Sequence, residues 1–326
     1  MCPGCYLLSF DTYCRQCRQK LFDGAKVSPR LQFETLQAAN LPSYQEKTKR
    51  LSISGVQLKY SLRLQGNELT LTDTGGQYIL KPIPPSTLIA RTDQAPENEH
   101  LTMQIAQQVY GINTAANALI YFKDGAPAYI TRRFDVKPDG SKYLQEDMAQ
   151  LSGRSLQNYG EHFKYEGSYE DIAVLIQRYV AASPLILEQF FRLILFNYLF
   201  SNGDAHLKNF SLIQTAMGDF TLTPAYDLMS TILHTPLESD MALDLYPNAM
   251  SSAFYHQYGC FGRSDFSHFA SRIGLLPARA ERIISQALIQ QPAALALIER
   301  SFLDDSTREL YRQGVAERYR RMEKKP

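Results

Sequence analysis

The sequence predicts an α+β protein of two lobes, a β-rich N-lobe followed by a mainly helical C-lobe, with a small four-cysteine module in front. Three observations carry the reading. Cys2, Cys5, Cys14 and Cys17 cluster at the start of the chain, apolar and polar residues alternate with period two over 52–83 and strand-like runs return at 116–136, and helical periodicity dominates from about 145 onward. The expected division is a cysteine module at 1–26, a β-rich lobe at 27–135 and a helical lobe at 136–326. A chain of 326 residues is long enough to bury a core of that size.

The cysteines read C-x2-C-x8-C-x2-C. In a reducing compartment two such pairs form knuckles that offer four thiolates to one tetrahedral ion, which points to a zinc-ribbon-like site rather than to disulfides. A four-thiolate site leaves no open position, so this zinc is expected to staple the N-terminus and carry no chemistry. Cys260 stands alone and reads as a buried thiol. Residues 27–50 are polar, with Pro29 and Pro42, and read as a linker or arm.

The stretch from Ser54 to Pro82 alternates strictly and breaks at Gln65-Gly66-Asn67 and at Thr74-Gly75-Gly76, the grammar of a small antiparallel sheet. A helix follows, with Pro96 at its start, acidic residues in its first turn and Gly111 as its stop. Two further strands flank Asp124-Gly125, a hairpin signal. Beyond them Ser168 and Asp171 form a capping-box pattern, and Ser183-Pro184 opens the most apolar helix of the chain. Later helices are expected near 264–273, 277–290 and 305–322.

Charge excludes little but is informative. Lys+Arg 34 against Asp+Glu 33 gives no global polybasic signal, so contact with DNA is expected only indirectly, through a partner. No run of 18 apolar residues exists and the N-terminus lacks a leader pattern, which reads as a cytoplasmic protein with no membrane partner. The aromatic-rich stretch 246–259 reads as core packing rather than a base-stacking platform.

The chemistry concentrates in "SNGDAHLKNFSL", residues 201–212, where Asp204 precedes Asn209 by five positions and a hairpin leads on to Asp227. A carboxylate that accepts a hydroxyl proton, an amide five residues on, and a second carboxylate beyond a hairpin form the set that phosphoryl transfer from ATP requires. The D-x4-N spacing is that of a kinase catalytic loop. Upstream, Lys81 ends an apolar strand as a phosphate-contacting lysine does, and Glu99 on the next helix is placed to orient it. The segment before the first strand contains Ser52, Ser54, Gly55 and Lys59 but only one glycine; a phosphate loop and a serine-containing strand entry are both consistent with it.

In order, "SISGVQLK", "YILKP", "ENE", "RRFD", "QED", "NGDAHLKNFSL" and "PAYDLMS" resemble the motifs of the HipA-like serine/threonine kinase toxins of bacterial toxin–antitoxin systems. The resemblance implies a bilobal protein-kinase-like fold and an ATP- and Mg2+-dependent serine/threonine protein kinase. It implies Asp204 as the catalytic base, with Lys208 neutralising the transferring phosphoryl group, and Asn209 and Asp227 as magnesium ligands. ATP would be held by the phosphate loop (Ser54, Gly55, Val56, Gln57, Lys59), by Lys81 with Glu99, and by a hinge over 131–134 that includes Arg133 and Phe134. His206 would brace the catalytic loop beside the nucleotide by hydrogen bonds. Ser52 and Ser54 are the expected autophosphorylation sites, and a phosphoserine there would repel nucleotide.

Only some fifty residues precede the phosphate loop, which resembles the short HipT-type members whose N-terminal subdomain is a separate small HipS-like protein. A cognate HipB-like antitoxin and a protein substrate, a translation factor or aminoacyl-tRNA synthetase, are the further partners the resemblance implies. The family's "RFDR" reads "RRFDV" here, and Arg132 stands where an acidic hinge residue is common. Two other classes remain open: a kinase-like scaffold that binds a partner or a DNA complex with antitoxin without catalysis, and a phosphoesterase, for which a second His/Asp cluster is lacking.

Overall fold

A computed structural model of the chain describes residues 1–35, 57–85 and 89–324. The fold is α+β and bilobal. Strands β1 (Tyr60–Gln65), β2 (Glu68–Leu71) and β3 (Tyr78–Pro82), with β4 (Asn117–Tyr121) and β5 (Pro127–Arg132), form an antiparallel five-stranded sheet in the order β2-β1-β3-β5-β4. The expected turns at 65–67 and 124–125 join neighbouring strands of this sheet, whereas the one at 74–76 carries the chain from β2 past β1 to β3. The C-terminal half is helical, apart from a second, three-stranded sheet of β6 (Gln145–Asp147), β7 (Ser211–Gln214) and β8 (Phe220–Leu222).

Helix α2 (Ala95–Gln108) lies between the lobes and is buried from Ala95 to Ala106. Its polar residues are therefore matched to partners, as burial demands. Asn98 donates to the Ser230 carbonyl at 3.0 Å and accepts from the Ser230 N–H at 3.1 Å, while Thr102 meets the Tyr311 hydroxyl at 2.8 Å. These bonds tie α2 to the helical lobe, and its other side rests on β4 and β5.

Glu97 on the same helix is an exception. It is 7% exposed, and its Oε2 finds no partner among the described residues. Burial pushes its carboxyl up to about 8. The protonated form is thus the one the fold favours. That contribution is intact below the ordinary carboxylate range near 4.5 and is lost as pH rises through about 8. Glu97→Gln is expected to raise stability at pH 8.5 by on the order of 3 kcal/mol and to change it little at pH 4.5, read from urea midpoints at the two pH values.

The helical lobe is built round the apolar helix α6 (Ser183–Leu199), whose Phe190, Phe191, Ile194, Leu195, Phe196 and Tyr198 are all buried. Preceding it is α5 (Tyr169–Tyr179), opened by the Ser168–Asp171 capping box. After it come α7 (Ala253–Tyr258), α8 (Arg263–Arg272), α9 (Pro277–Ile289), α10 (Gln291–Glu299) and α11 (Asp305–Glu323), the last against α6. Two short helices, α3 (Met148–Leu151) and α4 (Leu156–Tyr159), lead into α5. Phe254 and Tyr246 are buried, as the packing reading of 246–259 requires, and Cys260 is 4% exposed.

Ser183 and Pro184 open α6, as the sequence reads. Two expectations need correction. Helix α10 is unanticipated: Pro292 falls in its first turn, where a missing N–H costs nothing, so the break it signals is a restart. The linker reading fails over its first residues. Tyr121 donates to the Pro29 carbonyl at 2.8 Å and Leu31 donates back to Tyr121 at 2.7 Å, so this stretch lies along the β4 edge with Val27 and Leu31 buried. The remainder of that stretch, 36–50, lies outside the described residues.

The cysteine module is part of the same body. Helix α1 (Arg15–Phe22) and Tyr13 share one apolar core with Leu62, Leu80, Ile120 and Ile130 of the five-stranded sheet. The Tyr13 hydroxyl donates to the Leu119 carbonyl at 2.6 Å, and the Leu119 N–H donates to Pro3 at 2.9 Å. Among the described residues no helix is long and apolar enough to cross a membrane.

Candidate active site

Between the lobes opens a cleft of about 1430 Å³, bordered by Lys59, Lys81, Glu99, His206, Asn209 and Asp227. The sheet places its upper wall. Lys81 sits on β3 opposite Tyr129 of β5, and its stem is buried beneath the sheet. Its ammonium bonds Glu99 Oε1 at 2.5 Å and also reaches Asp227 Oδ1. Gln57 adds a weaker contact to Glu99 Oε2 at 3.4 Å, and Lys59 lies 3.9 Å from Asp227 Oδ2.

The lower wall is the loop after α6. Ser201 turns it with a left-handed φ of 51°, and Asn202 donates to Asn197 at 3.0 Å. Gly203 N–H donates to Thr231 at 2.8 Å, and Tyr169 donates to the Ala205 carbonyl at 2.9 Å. So fixed, the loop presents Asp204, 6% exposed, with Asn209 beside Asp227: the Asn209 amide donates to Asp227 Oδ2 at 3.3 Å. Asp227 itself has φ 60°, a left-handed conformation that costs a non-glycine residue roughly 1–2 kcal/mol and concentrates at functional sites.

Electrostatics sharpen the picture. Burial alone would raise the Asp227 carboxyl, but attraction to Lys81 and Lys59 overrides it and holds it well below the usual carboxylate range. Burial would likewise pull the Lys81 ammonium down, and its two carboxylate partners hold it above its ordinary value instead. Glu99 is raised by burial, which Lys81 only partly offsets. Lys81 is therefore a cation committed to the cleft. Lys81→Met would leave two carboxylates facing each other without it, and the expected loss of stability is about 3–5 kcal/mol at pH 7, partly recovered at pH 5 as Glu99 protonates. Denaturant midpoints at both pH values check this, with Lys81→Arg as the charge-retaining comparison.

The other anticipated residues are distributed as follows. Arg133 and Phe134 line the cleft at the end of β5; Arg133 pairs with Asp135 and the Phe134 ring lies 5.8 Å from Tyr226. Arg132 is bound by both guanidinium nitrogens to Asp23, at 2.6 and 2.7 Å, so it braces the cysteine module. Lys208 borders the cleft and bonds Asp147 of β6 at 2.7 Å. Ser52, Ser54, Gly55 and Val56 lie outside the described residues.

His206 departs from expectation. The Asn209 side chain, not the imidazole, accepts from the His206 N–H at 3.0 Å and so braces the loop. Both ring nitrogens are without a hydrogen-bond partner among the described residues, and the ring sits edge-on to Tyr165, centroids 5.2 Å apart. Burial pushes the imidazole down to about 3, so it is neutral near pH 7. Sequence reasoning assigned no role to Asp147 or to Tyr165, whose hydroxyl donates to Asp204 Oδ1 at 2.5 Å. "QED" was the only signal for the first, and nothing marked the second.

The four cysteine sulfurs lie within 4.8 Å of one another, Cys5 and Cys14 being 3.8 Å apart. A tetrahedron with metal–sulfur bonds of about 2.3 Å has edges of about 3.8 Å, so the cluster has the size of a metal site. The Cys14 N–H points at Cys2 Sγ from 3.2 Å, and a Cβ on Gly4 would meet Cys17 Sγ at 2.7 Å. The donor set and its cradle fit a thiophilic ion.

Sheet, interlobe helix and cleft define the bilobal, kinase-like class. The chain belongs to the HipA-like C-terminal domain family, whose model matches residues 51–295. It is 28% identical over 305 residues to a putative kinase of Haemophilus influenzae, covering 83% of this chain and 85% of that one. It is 31% identical over 242 residues to the putative kinase Y4dM of Sinorhizobium fredii, and 30% identical over 214 residues to the serine/threonine-protein kinase toxin HipA of Shewanella oneidensis. Those matches cover 69% and 60% of this chain and 54% and 46% of the relatives, so it spans about half the length of each.

Among solved structures, the Shewanella oneidensis HipA–HipB–operator DNA complex superposes with a TM-score of 0.62 at 23% identity, over 91% of this chain and 73% of that one. The Helicobacter pylori proinflammatory kinase CtkA superposes with a TM-score of 0.50 at 13% identity, over 80% and 90%. These two likenesses show the fold.

Proposed function

We propose that this chain is an ATP- and magnesium-dependent serine/threonine protein kinase, the toxin of a toxin–antitoxin pair. The observation that carries the reading is the cleft in which Lys81 joins Glu99 to Asp227 while Asn209 touches the other Asp227 oxygen, with Asp204 on the same loop as Asn209 and bonded to Tyr165 of the cleft wall. Phosphoryl transfer needs little covalent help from a protein and much positioning and charge, and this arrangement offers both. Lys81 binds the phosphates of ATP. Asp227 and the Asn209 amide supply the hard oxygen donors that magnesium takes alongside its waters; when bound, it neutralises charge on the phosphates. Asp204 accepts the proton of the acceptor hydroxyl as its oxygen bonds to the γ-phosphorus and ADP leaves.

Apolar Ile79, Ala115, Phe134 and Tyr226 wall the same cleft and suit the adenine. Lys208, tied to Asp147, stands where it can steady the transferring group. The Ser52–Lys59 stretch completes the phosphate contacts and carries the autophosphorylated serine, and zinc fills the four-cysteine site. A HipB-like antitoxin, a small HipS-like protein and a translation-related target, such as an aminoacyl-tRNA synthetase, are the proposed partners, by analogy with the family.

The test is incubation with γ-labelled ATP and magnesium, alone and with host-cell extract, followed by phosphosite mapping. Label on serine or threonine that disappears with a magnesium chelator is expected. No label on the chain or on any extract protein would sink the kinase reading.

A further inference from the structure

We propose that Tyr165 occupies, in the resting protein, the seat that an acceptor hydroxyl takes on Asp204, and thereby sets how much acceptor the enzyme needs. The inference rests on the kinase reading above.

The segment responsible is "GEHFKYEG", residues 160–167. Helix α4 ends at Gly160, whose φ of 71° and ψ of −165° belong to a region essentially restricted to glycine. Gly167, with φ 106°, closes the segment immediately before the Ser168 cap of α5. Between these two glycines lies one turn of 3-10 helix, Phe163–Tyr165, and residues 161–165 all border the cleft. The segment thus runs over the catalytic loop with a conformationally permissive residue at each end.

Its tip makes specific contacts. The Tyr165 phenol donates to Asp204 Oδ1 at 2.5 Å, the ring meets the His206 edge at an interplanar angle of 72°, and the Lys164 ammonium lies 4.8 Å from the ring centroid. This O–H···carboxylate bond is the one a serine or threonine acceptor must make to hand over its proton. With Asp204 only 6% exposed, the acceptor reaches it where the phenol has withdrawn. Transfer then runs on the acceptor alone: its oxygen bonds to the γ-phosphorus as the bond to ADP breaks, its proton passes to Asp204, and the tyrosine hydroxyl is set free unmodified. The His206 ring, edge-on to Tyr165 with centroids 5.2 Å apart, gives the phenol a packing surface to leave and return to.

Tyr165→Phe keeps the ring and removes the competing hydroxyl. With γ-labelled ATP and the most strongly labelled peptide of a degenerate Ser/Thr library, its KM for the peptide should fall about tenfold while the KM for ATP stays as in wild type. Tenfold is what the lower end of a charge-assisted hydrogen bond supplies. A tyrosine that only held the fold would lower kcat and leave the peptide KM unchanged, and that result overturns the proposal. Independently of catalysis, amide exchange over 160–167 should quicken severalfold in Tyr165→Phe and in Asp204→Ala, with the double variant adding nothing further. Exchange equal to wild type in both single variants overturns it as well. A wild type that labels neither itself nor any peptide would sink the kinase reading instead, and the exchange measurement alone would then decide the role of Tyr165.

Discussion

Asp204→Asn is expected to lower phosphoryl transfer by about 10³-fold while leaving nucleotide affinity within twofold of wild type, since a positioned general base contributes roughly 10²–10⁴-fold. The two halves of that expectation come from different parts of the cleft. Asn is isosteric with Asp and its carbonyl still accepts the Tyr165 hydroxyl, so the loop fixed by Thr231, Asn197 and Tyr169 keeps its shape. The residues proposed to hold the phosphates and the metal, Lys81, Glu99 and Asp227, bond one another rather than Asp204. What the substitution removes is the group that takes the acceptor proton. Single-turnover labelling with γ-labelled ATP and titration with a fluorescent ATP analogue separate the two quantities. Undiminished label would show that Asp204 is not the base. A collapse of affinity would mean that it shapes the nucleotide site, an outcome the bonding pattern argues against.

Much of this cleft was legible in the sequence because its parts follow local rules. Lys81 ends an alternating strand, Glu99 occupies the helix that follows, and Asp204, Asn209 and Asp227 fall at fixed offsets around a loop and a hairpin. Those offsets survive folding. Tyr165 and Asp147 were not legible, because their partners lie 39 and 61 residues away and only the packing of elements within the helical lobe brings them together. Tyr165 stands in a short glycine-bounded segment with neither period two nor period 3.6 to mark it. His206 was misjudged for a related reason. A polar residue in a dense polar loop reads as a hydrogen-bonding one, yet Asn209 took the backbone N–H and left the imidazole to pack against an aromatic ring.

The N-terminal module shows the same limit on a larger scale. Its spacing gave the four sulfurs, but the apolar residues between and after them are too few to reveal where they go. In the fold they go under the sheet: Tyr13, Leu21 and Phe22 are all nearly fully buried against strands of the N-lobe. Tyr6 lies across His100 of α2, ring centroids 5.0 Å apart, on the helix that also carries Glu99. The module is therefore expected to support the ATP-binding lobe, not merely its own twenty residues.

Cys14→Ser should accordingly cost far more than a surface substitution. Losing one of four thiolates would release the proposed structural zinc, whose binding free energy would be folding free energy. It also frees α1 from the sheet, where each large buried side chain contributes about 1.5–3 kcal/mol. The expected loss is at least about 4 kcal/mol, in the range reached when a metal site fails. A chelator added to the reduced wild type should reproduce it, and zinc content near one equivalent before treatment should fall with it. Cys260→Ser serves as the comparison, since that thiol is also buried but lies far along the chain and outside the cluster. Amide exchange should quicken in β4 and in α2 for Cys14→Ser, because Leu119 and Gln108 are bonded to Pro3 and Cys5 of the module. If Cys14→Ser and chelation both leave the unfolding midpoint where it is in wild type, the sulfurs hold no structural metal and the module stands on its apolar contacts alone.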